Sequence, residues 1–302
     1  MNSSNLLFLF LIFFSPLISM SASDWVLSWI GMELGMIGLF PLLLLSLSSS
    51  SKESMMKYFL VQSLASAIMF ISGIVYFHFF ELFSICVYFF MMSLSLKLGF
   101  FPGHFWVSNV VNSLSWISNL LILGPLKIAP FGFLSFLVLN SDGSVYLLLM
   151  LGSLSALIGS FLGNNQTSIR SMLGSSSISH SGWMCVSMCF GYLWGYLFSY
   201  LLILSLLFLS LFSLDYFSSS IMMLSLSGLP PFLMFVMKMK VLLYSFLSLE
   251  YLVFVILILS SVISLNFYLK FFYSFILMNN IKKVFIMMVF CIINILGIFF
   301  LL

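Results

Sequence analysis

Leu82 to His104 reads LFSICVYFFMMSLSLKLGFFPGH, and the fold is decided here. From Leu82 to Leu96 no residue is charged, and an apolar run approaching ~20 residues is the mark of a helix that crosses a bilayer. The run then meets Lys97, Gly99, Pro102 and Gly103 within seven residues. Proline removes a helix hydrogen bond and clashes with the preceding turn, and glycine adds backbone freedom, so the helix breaks there. A broken helix at membrane depth is tolerated only where it is buried in protein or lines a wet cavity. The stretch therefore reads as a membrane helix that stops beside an ionisable side chain.

The rest of the chain has the same character. Of 302 residues, 63% are hydrophobic and 6% charged, against ~25% charged in soluble domains. The mean hydropathy is +1.27. The composition excludes a soluble domain, and no stretch is long and polar enough to form one. We expect an all-α, polytopic membrane protein of about eleven transmembrane helices in a single domain, residues 1–302. The spans are read at 5–22, 24–47, 56–79, 82–101, 112–138, 144–162, 171–190, 192–213, 218–247, 250–273 and 283–302. Leu6 to Met20 followed by Ser21-Ala22-Ser23 imitates a secretory signal, but Met1 to Asn5 carries no basic residue, so a retained first helix is expected.

The loops give an orientation. One side, with the N-terminus, collects Lys52, Lys57, Arg170, Lys270, Lys282 and Lys283; the other collects Asp24, Glu81, Asp142 and Glu250. Basic loops face the compartment of synthesis. A second break, Ser227-Gly228-Leu229-Pro230-Pro231, interrupts the span at 218–247. The two breaks are the middle members of spans 2–6 and 7–11. An odd offset runs the two halves in opposite directions, the layout of inverted-repeat transporters.

Ionisable groups inside apolar runs need a reason to be there. Glu33 lies about ten residues into span 2, Lys97 just before the first break, Lys127 halfway along span 5, Lys238 seven residues after Pro231 and His180 halfway along span 7. His104 follows the first break. Burial disfavours the charged form of either an acid or an amine, and pairing restores it. Making or breaking a Glu–Lys pair therefore moves a proton on or off lysine, a role closed to arginine. Plainer readings stand beside this one. Lys97 can snorkel to a helix end, Lys238 can sit in a loop with Lys240, His180 among its serines can be a packing residue, and His104 can merely cap the break. His78 reads as interfacial, and Glu53 and Lys57, four apart, as a helix-surface pair.

Cys86, Cys185, Cys189 and Cys291 show no metal-ligand spacing. No P-loop, GxGxxG, CxxCH or iron–sulfur pattern is present. On this reading the chain binds no nucleotide, and any redox energy comes from a partner.

Several stretches together carry a resemblance. They are Trp29-Ile30-Gly31-Met32-Glu33; Lys57-Tyr58-Phe59-Leu60-Val61-Gln62; Lys97-Leu98-Gly99 with Pro102, His104, Phe105 and Trp106; and Lys127-Ile128-Ala129-Pro130. Gly163 to Arg170, Ser176 to His180 with Gly182-Trp183-Met184, and Gly228-Leu229-Pro230-Pro231 with Lys238 complete the set. Over roughly residues 25–270 the chain resembles the chain 2 family of antiporter-like membrane subunits of mitochondrial NADH:ubiquinone oxidoreductase (complex I).

The resemblance implies a proton-translocating role with an antiporter-like core at about 24–273. Glu33 would pair with Lys97, Lys127 would be the central lysine and Lys238 the lysine of the second broken helix. It implies chains 4, 4L and 6, accessory subunits and membrane lipids as partners. NADH, FMN, iron–sulfur clusters and ubiquinone are used by the whole complex and none is held in this chain. It places the chain in the mitochondrial inner membrane, N-terminus on the matrix side and C-terminus on the intermembrane-space side. The sequence departs from the family at Pro125-Leu126, at Gly103 and at Met239. The same charges would suit a component of a cation/proton antiporter, and a non-conducting scaffold of the membrane arm is the third reading.

Overall fold

The computed structural model describes residues 3–44, 48–78, 83–140, 142–277 and 294. The expected last helix, 283–302, lies outside the described residues save Asn294. Among the described residues every regular element is helical. Seven helical stretches among the described residues, with the interrupted Trp116–Asn140 counted as one, are long and apolar enough to cross a bilayer. The chain divides into two compact units, residues 1–147 and 148–302.

In the first unit α1 (Ser3–Ser21), α2 (Trp25–Leu44), α3 (Ser49–His78) and α4 (Phe83–Leu98) follow the expected spans. Small residues dock α2 on α1. A Cβ on Gly31 would come within 2.7 Å of the Ser19 backbone, and one on Gly38 within 2.9 Å of the Phe8 carbonyl. Close backbone approach over small residues is how helices gain van der Waals contact in lipid, where no hydrophobic force separates helix from solvent. Pro16 cannot donate to the carbonyl of Ile12, and the Ser15 hydroxyl does so instead, at 3.0 Å. The indoles of Trp25 and Trp29 donate to the Phe70 and Ser66 carbonyls, tying α2 to α3.

The expected helix at 112–138 needs correction. The chain forms α5 (Phe105–Ser113), α6 (Trp116–Leu123), a one-turn 3-10 helix (Pro125–Lys127) and α7 (Ile128–Asn140). Gly124 takes φ −107° and ψ −100°, which no regular helix allows, and Pro125 starts the 3-10 turn. Pro130 falls in the first turn of α7, where the missing N–H is harmless. Lys127 thus sits at a helix break and not halfway along a helix.

The second unit takes most of α8 (Asp142–Asn164), then α9 (Ile169–Cys189), α10 (Leu193–Phe212), α11 (Tyr216–Ser227), α12 (Leu233–Leu247) and α13 (Tyr251–Leu277). The expected break at 227–231 separates α11 from α12. Rich in serine, α9 is buried from Ser171 to Met188. It packs on α10, α12 and α13 and so need not be apolar. The hydroxyls of Ser175, Ser176, Ser177, Ser179, Ser181 and Ser187 each donate to the carbonyl three residues back. Such back-bonding satisfies the donor of a hydroxyl inside a helix.

Candidate functional site

In the first unit, α4 ends at Leu98 and Gly99 follows at φ +73°. That left-handed conformation closes a helix at little cost for glycine alone. A Cβ there would also overlap Val107. The last carbonyls of a helix lack intrahelical donors, and inside a membrane each must find one. Two side chains supply them. The Trp106 indole donates to the Leu96 carbonyl at 2.9 Å, and the Gln62 amide donates to the Lys97 carbonyl at 3.3 Å. Gly103 packs so tightly that a Cβ would lie 2.7 Å from the Leu96 Cα. At this departure from the family pattern a larger side chain has no room.

Lys97 thereby emerges from the end of α4 in a fixed position. Its Nζ donates to Glu33 Oε1 at 3.1 Å, with the two side chains 7% and 15% exposed. The ammonium also complements the negative end of the helix that carries it. Beside the pair lies a cavity of about 40 Å³, whose lining includes Lys97, Lys127, Tyr58, Gln62 and Trp106. By that measure one water needs ~10–15 Å³, so the space holds on the order of two or three. Lys127 is buried at the break between α6 and α7. The structure thus brings together Glu33, Lys97 and Lys127. His104 is buried immediately after the first break, its ring against Phe105 with centroids 4.2 Å apart.

In the second unit Lys238, on α12, is also buried. Its Nζ donates to the Ser227 carbonyl, the last of α11, at 2.8 Å, and stands 5.5 Å from the centre of the Trp183 ring. Gly228 follows Ser227 at φ +80°, and a Cβ on it would come within 2.8 Å of the lysine stem. Pro230 and Pro231 complete the break before α12 begins. One turn before Trp183 on α9, His180 is 2% exposed. Its Nδ1 lies 3.0 Å from the Tyr196 hydroxyl and its Nε2 3.2 Å from that of Tyr268.

The sequence reading missed Tyr58, Gln62, Trp106, Tyr196 and Tyr268 as neighbours of these groups. Tyrosine hydroxyls and amides inside apolar runs need buried partners, and that was the available signal. Glu53 and Lys57 form the surface pair expected, at 2.6 Å and well exposed. The His78 side chain falls outside the described residues.

The described residues thus form helices only, several of them long and apolar enough to cross a membrane, with lysines buried at the helix breaks: the class is a multi-pass helical membrane protein. Residues 22–219 match the family described as "NADH:quinone oxidoreductase/Mrp antiporter, TM". NADH-ubiquinone oxidoreductase chain 2 of Albinaria caerulea is 37% identical over 289 residues, 94% of each chain. The Lumbricus terrestris protein of that name is 31% identical over 277 residues, 85% of this chain and 82% of its own. A chain of respiratory complex I from Thermus thermophilus superposes with a TM-score of 0.81 at 22% identity, over 91% of this chain and 71% of that one. At that identity the likeness shows the fold. The chain belongs to the NADH:quinone oxidoreductase/Mrp antiporter family and, within it, to the NADH-ubiquinone oxidoreductase chain 2 proteins.

Proposed function

We propose that this chain is a core membrane-arm subunit of respiratory NADH:ubiquinone oxidoreductase that translocates protons while electrons pass from NADH to ubiquinone elsewhere in the complex. The supporting observation is the buried Glu33–Lys97 pair at the end of a broken helix, opening on a cavity that Lys127 also lines. With the pair closed, the ammonium of Lys97 has its counter-charge. With it open, an uncompensated buried charge is costly, and the proton moves to water in the cavity and on to Lys127. Lys238, His180 and His104 are further members of the path, and Gly99, Pro102, Gly228, Pro230 and Pro231 make the breaks that place it.

On the same reading the chain crosses the inner mitochondrial membrane eleven times as one membrane domain. Residues 24–273 form two inverted five-span halves, the N-terminus lies on the matrix side and the C-terminus on the intermembrane-space side. Chains 4, 4L and 6, accessory subunits and lipids surround it. Flavin, iron–sulfur clusters and quinone sites belong to other subunits, so the energy arrives as conformational or electrostatic change from a neighbour.

Lys127→Met tests this role. In a fully assembled complex the substitution should abolish or strongly reduce NADH-driven proton uptake into vesicles. Unchanged pumping at unchanged turnover would refute it. Match over most of the length of chain 2 relatives favours a complex I subunit over a stand-alone antiporter.

A further inference from the structure

His180 differs from the lysines in how it is held. Each of its ring nitrogens faces a phenol, Tyr196 from α10 and Tyr268 from α13. A carbonyl or carboxylate partner would lock one tautomer, because it can only accept. A hydroxyl both donates and accepts. The neutral ring with its proton on Nδ1, the neutral ring with it on Nε2 and the imidazolium therefore all find their hydrogen bonds met. In a buried, low-dielectric site an unmet hydrogen bond adds to the cost of changing protonation state, and this arrangement removes that part of it. The environment adds a direction of approach. The side chain of Ser176, one turn before His180 on α9, lies beside Tyr268. Tyr200, one turn beyond Tyr196 on α10, brings its ring centre to 5.1 Å from that of His180, with a buried hydroxyl that makes no hydrogen bond among the described residues.

We propose that Tyr268 and Tyr196 are the two proton-transfer partners of His180, so that the ring conducts from one phenol to the other. This rests on the reading of the chain as a proton carrier. A proton delivered to the Tyr268 oxygen, from water or a neighbouring hydroxyl, releases that phenol's own proton to Nε2. The imidazolium so formed donates from both nitrogens. Its Nδ1 proton then passes to the Tyr196 oxygen, whose own proton leaves to the next water or hydroxyl. One proton has entered and one has left, each phenol keeps one hydrogen, and the ring is neutral with its proton on Nε2. Rotation of the ring leaves that proton on Nε2, so the starting tautomer returns when Nε2 gives its proton to, and Nδ1 takes one from, a single chain of water.

The test uses the assembled complex carrying Tyr268→Phe, Tyr196→Phe or both, with Lys127→Met in parallel. Phenylalanine keeps the ring packing and removes only the hydroxyl. Each single variant is expected to lose NADH-driven proton pumping while keeping quinone reduction with uncoupler present, and the double variant to lose no more than either single one. Partners in series behave in that non-additive way, whereas independent packing defects add. Pumping retained in either phenylalanine variant, losses that add, or a pumping deficit that merely tracks lower assembly would overturn the relay. Should Lys127→Met pump normally, the underlying reading fails; should it alone lose pumping, only the relay does.

Discussion

Lys238 reaches back across the second helix break and donates a hydrogen bond from its Nζ to the carbonyl of Ser227, 2.8 Å away. The bond joins a residue of α12 to the last residue of α11 and places a cation at the negative end of the preceding helix. It ties a buried lysine to the very interruption that exposes backbone carbonyls at the end of a helix. Lys97 does related work in the first unit, where it leaves the end of α4 and meets Glu33. In both units the break and the charge belong to one arrangement.

The passage of the Lys238 stem over Gly228 leads to a comparison of two glycines. Gly228 and Gly191 share nearly the same left-handed φ, +80° and +79°, but a Cβ on Gly191 would meet nothing within 4 Å among the described residues. Gly191→Ala should cost only the backbone term, on the order of 1–2 kcal/mol. Gly228→Ala adds the displacement of Lys238, so it should lower both thermal stability and proton pumping. Equal losses of thermal stability in the two variants, with pumping intact in both, would show that the lysine stem does not depend on that glycine.

Breaking a buried ion pair from one side leaves a charge without compensation, at about 3–5 kcal/mol. Glu33→Gln and Lys97→Met should each destabilise the subunit and reduce pumping. The double variant should be more stable than the sum of the two, because neither charge is then stranded. Thermal unfolding of the assembled complex measures the cycle. Additive losses would mean that the two side chains do not interact.

Trp106 is the donor that satisfies the Leu96 carbonyl at the first break. Trp106→Phe keeps an aromatic ring and strands that carbonyl, at a cost of about 1–3 kcal/mol. Lower thermal stability of the complex is the expected result. No change would mean that water takes the place of the indole.

The Glu53–Lys57 pair is the contrasting case. Both side chains are well exposed, and surface pairs add little because solvent and salt screen them. Lys57→Ala should leave pumping unchanged when measured beside Lys97→Met. A comparable loss in the two would bring Lys57 into the conducting path.

The sequence told much of this through simple physics. Apolar run lengths located most helices, because a backbone in lipid has few alternatives. Glycine and proline marked both expected breaks. The break at Gly124–Lys127 carries the same signal, in Gly124 and Pro125, but the long apolar run on both sides reads as one continuous span. The start of α3 at Ser49, seven residues before the expected 56, has the converse cause: a helix can continue past its apolar part. The partners of His180 could not be read locally. Tyr196 and Tyr268 lie 16 and 88 residues away in sequence, and only packing brings them to the ring. Serine-rich α9 carries little hydropathy signal for a buried helix, because its hydroxyls are tied back on its own carbonyls.

The central claim is that Lys97 and Lys127 exchange protons through a shared hydrated space. A high-resolution density map of the assembled complex tests it most directly, at the cavity walled by Tyr58, Gln62 and Trp106. Two or three ordered waters linking the two lysine nitrogens, beside a Glu33 carboxylate within reach of Lys97, are the predicted result. A dry or lipid-filled cavity, or a Lys97 side chain turned away from Glu33 toward lipid headgroups, would contradict it.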